Sequence, residues 1–160
     1  MGAATICTAA GAVFSAILKR RCTVLRETAS ILDEMQTKIR YRSTRMTELI
    51  SEISAESAFA GNEFIAGAAA GMRSGLPVSE AWIRAADTAP FYSESDRDIL
   101  KNIGSGLGNS DTEGQLSQLA LGSSMLGRAL EEAERECAGK SRMLISVWTL
   151  CGIGAGIIII

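Results

Sequence analysis

The sequence predicts an all-α protein: a cytoplasmic bundle of about six helices with one transmembrane helix at each end. Three observations lead there. All 34 charged residues fall between Lys19 and Arg142, which leaves both ends of the 160-residue chain without charge. No stretch between them alternates apolar and polar residues between turn signals, so strands are not indicated. Apolar residues there recur instead at spacings of three and four, the period of one helix face.

Residues 1–18 (MGAATICTAAGAVFSAIL) are small or apolar and stop at Lys19-Arg20-Arg21. A cleaved secretory signal would carry its positive charge before the apolar run, and only the terminal amine precedes this one. The segment therefore reads as a retained transmembrane helix, close to the ~17-residue minimum for a span. Residues 143–160 (MLISVWTLCGIGAGIIII) read as a second. Their basic flank, Lys140 and Arg142, also faces the middle of the chain, so the positive-inside rule places residues 19–142 in the cytoplasm and both termini outside. Trp148 suits an interfacial anchor, and Gly152 and Gly156 have the spacing of a close helix–helix contact.

In the middle, Leu25, Thr28, Leu32, Met35 and Ile39 form a heptad seam. Leu116, Leu119, Ser123, Leu126, Leu130, Ala133 and Cys137 form a longer one. Two such helices entering one bilayer would zip together antiparallel, with Cys22 and Cys137 packed near its surface as reduced thiols. Between them, Met46–Ser57 places Met46, Leu49, Ile50 and Ile53 on one face. Residues 62–73 carry Phe64, Ile65, Ala68, Ala69 and Met72, and Gly75-Leu76-Pro77 punctuates. Val78–Ala86 presents Ala81, Trp82 and Ala85 inward, leaving room for a buried indole, and Pro90 ends that stretch. Ser93 and Asp96 have capping-box spacing ahead of Ile99, Leu100, Ile103 and Leu107. Ser110 and Glu113 repeat it before the last helix.

Chemistry is sparse. The chain has no histidine, which removes the commonest general base and metal ligand. Gly139-Lys140-Ser141 copies the end of a phosphate loop, but Glu134 stands where its first glycine belongs and no strand precedes it. The glycines from Gly104 to Gly108 lack dinucleotide-fold spacing. Cysteines at 7, 22, 137 and 151 lack metal-ligand spacing. No nucleophile–base–orienter set is visible, so no catalytic residue, cofactor or metal is expected. A net charge of -2 gives no pull toward nucleic acid. Charge is divided within the middle, however. Residues 19–45 hold eight basic and three acidic side chains, and residues 87–136 hold four basic and ten acidic. These stretches are expected to face each other, the basic one also meeting anionic lipid heads.

Several of these residues resemble one family. Gly75 with Ser79-Glu80-Ala81-Trp82 resembles the G-x-x-x-x-E-A-W turn-helix of stage III sporulation protein AB of endospore-forming bacteria. Asp96 to Leu100, Ile103-Gly104, Leu107-Gly108, Ser110-Asp111 and Gln115 resemble its D-x-x-x-L…LG…LG-x-SD…Q stretch. Ala133-Glu134 and Lys140 resemble its closing segment, and Leu32 to Tyr41 a short L-x-x-x-x-x-x-I-x-Y stretch. Arg45-Met46 departs from a Pro-Leu-like pair, and Trp148 from a small residue.

The resemblance implies a non-enzymatic component of the complex joining mother cell and forespore, in the mother-cell membrane. Its helical domain is similar to one repeat of the platform proteins (the F components) of type II secretion and type IV pilus machines. By that analogy it is a platform or adaptor for the sporulation AA-type ATPase, beside other membrane components of the complex. A small membrane sensor or signalling subunit is the alternative. The candidate partner contacts are Gly104, Gly108, Asn109, Asp111 and Glu113, in the turn between the last two helices. Small residues there let another protein approach, and acids at a helix start meet unpaired backbone N–H groups.

Overall fold

The computed structural model describes the backbone of residues 2–41, 45–108 and 112–158, and the side chains of residues 16–41, 45–108 and 112–139. The described chain folds as six helices: α1 (Gly2–Tyr41), α2 (Met46–Ala55), α3 (Glu63–Arg73), α4 (Val78–Thr88), α5 (Glu94–Gly106) and α6 (Thr112–Ile158). Each helix packs against the next in sequence, and α6 returns along α1 to close the ring. The pairing of α1 and α6 is antiparallel. Cys22 lies opposite Cys137, Arg26 opposite Glu134 and Asp33 opposite Ser123.

Both heptad seams are realised. Leu25, Thr28, Leu32 and Met35 of α1 have no exposure at all, and neither do Leu119, Leu126 and Ala133 of α6. The shorter helices begin and end where local chemistry dictates. Asn62 caps α3 by accepting from the Ile65 N–H at 3.2 Å. At the other end of α3, Gly75 takes φ +95°, a conformation that costs glycine little. This lets the Gly75 and Leu76 N–H groups turn back to the Met72 and Gly71 carbonyls at the end of the helix. Pro77 falls at the N-cap of α4, one residue before the first turn. Ser93 and Asp96 form the expected reciprocal capping box at the start of α5.

The core centres on Trp82, which is fully buried. Phe64 meets its ring edge-on at 4.7 Å between centroids. Its indole N–H donates to the Leu100 carbonyl at 2.9 Å, so the one polar atom of the side chain is satisfied. The room for the indole comes from α5 as well as from the alanines of α4. A Cβ on Gly104 would lie 2.5 Å from the Trp82 ring, closer than packing permits. Gly104 is itself buried.

Two polar clusters pin α1 to the other helices. Thr28 shares a hydrogen bond with the Tyr92 hydroxyl, and the Asn62 amide donates to Glu27 and Thr28. Two turns earlier, Arg21 donates to both carboxylate oxygens of Asp96, at 2.8 and 3.0 Å, and lies 3.8 Å from Glu136. The Asp96 side chain is 1 % exposed. Burial alone would raise its pKa, but the Arg21 guanidinium and the Ser93 N–H and hydroxyl outweigh that and hold it below the usual carboxylate range. The basic and acidic stretches thus meet through Arg21 and Arg26. Lys38 turns the other way, to Glu52 and Glu56 on the α2 side.

The expectation of a transmembrane helix at each end is overturned. Among the described residues no helix is long and apolar enough to cross a membrane. The physical reason is length. The charge-free helical stretches, residues 2–18 of α1 and 143–158 of α6, fall short of the ~20 residues a span usually takes. Both terminal stretches also continue without a break into helices that carry charge, α1 from Lys19 onward and α6 up to Arg142. The side chains of Trp148, Gly152 and Gly156 lie outside the described residues.

Two stability experiments follow from this packing. Trp82→Ala is expected to cost about 3–5 kcal/mol in urea denaturation. Gly104→Ala is expected to cost about 1–3 kcal/mol in the parent and markedly less once Trp82 is already alanine, because the closest clash is with the indole and only a tight contact with Ile83 remains. Additive costs would place the two residues in separate environments. Asp96, with its lowered folded pKa, contributes stability above the unfolded carboxylate value of about 4 and loses it as pH falls through that value toward the folded one. The stability gap between parent and Asp96→Asn should be flat above about pH 5 and shrink below about pH 4. A gap independent of pH would contradict a stabilised carboxylate.

Candidate partner-docking surface

The ring brings the end of α5 and the start of α6 together at one tip. Gly106 ends α5, and Leu107 follows as its C-cap, donating its N–H to the Gly104 carbonyl at 3.2 Å. Leu107 is buried, whereas Gly108 is exposed with φ +84°. That positive φ lets the chain reverse directly after a buried anchor. On the α6 side, Thr112 and Glu113 are exposed in the first helical turn. The Glu113 carboxylate there complements the positive end of the helix dipole.

The predicted contact residues separate in three ways. Gly108 and Glu113 are exposed at the tip. Gly104 turns inward, its missing Cβ making the space that Trp82 fills. Asn109, Asp111 and the Ser110 cap lie outside the described residues.

A groove of about 310 Å³ leads away from the tip between α5 and α6. Gly122 forms part of its floor, where a Cβ would lie 2.3 Å from the Ile103 side chain, so the two helices approach closely. Across the groove the Gln118 amide donates to the Asn102 carbonyl at 2.7 Å. Ile99 and Met125 line its walls. Leu121 stands at its edge with 59 % of its surface exposed, a large apolar side chain in solvent. Sequence reasoning passed over Leu121 because it is off the seam, two residues after Leu119 and two before Ser123. That offset was the available signal. An apolar residue outside the buried stripe of a long helix faces something other than the core.

Elsewhere the surface is more polar. An open hollow of about 550 Å³ between α2 and α3 is lined by Thr47, Glu48, Ser51, Glu52 and Arg73 beside Met72. Phe91 is exposed at φ +66°, under the Arg20 guanidinium at 5.8 Å. Among the described residues no group of three or more cysteine or carboxylate side chains converges as a metal site.

Comparison with known proteins bears on the whole chain. Among solved structures it is similar to one described as Stage III sporulation protein AB (SpoIIIAB). The superposition has a TM-score of 0.61 at 19 % identity, covering 74 % of this chain and 97 % of that one. At that identity the likeness shows the fold. No curated protein matches. The family model for stage III sporulation protein AB matches residues 3–160. The chain therefore belongs to the stage III sporulation protein AB family.

Proposed function

We propose that this sporulation protein is a non-enzymatic adaptor that docks a cytoplasmic AA-type ATPase within a secretion-like complex between mother cell and forespore. The ATPase and the membrane location come from the family resemblance, with other components of the complex holding the assembly at the mother-cell membrane. One observation carries the choice of surface: the α5–α6 tip, with exposed Gly108 and Glu113, opens onto a groove edged by exposed Leu121. An apolar anchor beside a polar, easily approached turn is the composition of a docking site. The ring also suits the role mechanically. The tip is joined directly to the α1–α6 seam, because α6 starts at the tip and packs along α1. No nucleic-acid partner and no bound cofactor enter this reading.

The test reverses charge at the tip while leaving the Ser110 position intact. Asn109→Arg combined with Glu113→Arg, and separately Leu121→Glu, should each weaken ATPase co-purification roughly tenfold. Spore counts should fall with it at unchanged protein level. Wild-type co-purification by both variants would place the docking surface elsewhere. The exposed acidic run from Glu131 to Glu136 on α6 would then be the next face to test.

A further inference from the structure

The α1–α6 seam packs two cysteines, Cys22 in the buried core and Cys137 against it, whose thiols have no part in the adaptor role. Cys22 and Cys137 are free, on different helices, with their sulfurs 3.5 Å apart in a thiol hydrogen bond. They are 115 residues apart in sequence, so the seam alone brings them together. Cys22 is buried and Cys137 half-buried. Both line an open hollow of about 470 Å³ with Lys19, Arg26 and Glu134. A small reagent can therefore reach the pair from solvent. Ion pairs flank it along the seam, Arg26 with Glu134 and Arg21 with Glu136. The helices are held in register on both sides, so the sulfurs need only a small approach to reach bonding distance.

We propose that Cys22 and Cys137 form an oxidisable dithiol, a modification site at which a low-molecular-weight disulfide covalently staples α1 to α6. The reaction is two successive thiol–disulfide exchanges. The more exposed Cys137 sulfur, as thiolate, attacks one sulfur of the oxidant; the oxidant's S–S bond breaks and one thiolate leaves. The Cys22 sulfur, after losing its proton, then attacks the Cys137 sulfur of the mixed disulfide and expels the second thiolate. The protein loses two electrons and two protons, and the oxidant's disulfide becomes two thiols. Burial and the neighbouring Cys137 push Cys22 up to about 11, with Glu134 adding to the rise and Arg26 opposing it. Cys22 therefore rests as a thiol and serves as the resolving group rather than the first nucleophile.

The bridge closes a loop around α2–α5 and most of the core, so it removes much of the freedom of the unfolded chain. It also fixes the two helices whose relative movement would pass force from the tip. The staple is thus a device that stiffens the seam under oxidising conditions.

The experiment uses the full chain carrying Cys7→Ser and Cys151→Ser, treated with oxidised glutathione or with dithiothreitol. The expected product is monomeric, two hydrogens lighter, and yields a linked Cys22–Cys137 peptide on digestion. Its melting temperature should rise by roughly 10 °C, reversibly with dithiothreitol. In the Cys22→Ala variant, Cys137 should instead retain a stable glutathione adduct. A glutathione adduct that persists on Cys137 with Cys22 present, or unreacted thiols, would overturn the dithiol. A bridge that lowers the melting temperature would overturn the staple.

Discussion

The rest of the structure depends on covering one stripe of α1. Leu25, Thr28, Leu32 and Met35 are completely buried, yet α1 is a single long helix with no sheet or second layer of its own. Its stripe can lose its contact with water only if α6 returns antiparallel along it and the shorter helices close the remaining side. That requirement fixes the closed ring. Hydrophobic burial supplies the drive, but it does not choose among registers, since a heptad seam can slip by one repeat.

Register is chosen by polar groups with few alternative partners. Asp96 is buried, caps α5 and takes both its remaining bonds from Arg21 of α1. Sliding α1 by one turn would leave this carboxylate desolvated and unpaired, which is costly. The Thr28–Tyr92–Asn62 cluster repeats the constraint one or two turns further along. Together they fix the α5 start against α1, and Trp82 against Gly104 fixes α5 against α4. The end of α5 then has one possible position, next to the start of α6. The tip proposed to meet the ATPase is held by buried groups at its base, Leu107 and the Trp82–Gly104 contact, and by the Arg21–Asp96 pair at the other end of α5.

Much of this was legible in the residues because it rests on local or periodic signals. The two seams, the Ser93–Asp96 box and the Gly75 stop each follow from spacing or from a residue's own backbone preference. The burial of Trp82 was legible too, although half of its reason was not. Gly104 looked like an approachable surface glycine, and only the packing of α5 on α4 turns it into the indole's clearance. The Arg21–Asp96 pair spans 75 residues and leaves no pattern beyond a general charge division. The terminal spans were misread because a charge-free stretch of about 18 residues sits at the lower limit of a span, where composition alone does not decide. Leu121 was missed for the opposite reason: attention to the seam hides what lies off it.

In this fold α6 is an integral wall of the domain, closing the ring over the α1 stripe. Native-state hydrogen exchange of the full chain tests it most directly. Amides at residues 22–35 of α1 and 119–133 of α6 should exchange only through global unfolding, with the same protection as residues 81–86 of α4. Exchange of residues 119–133 through a separate, lower-energy opening, while α4 stays protected, would contradict it. It would show that α2–α5 fold around α1 without needing α6.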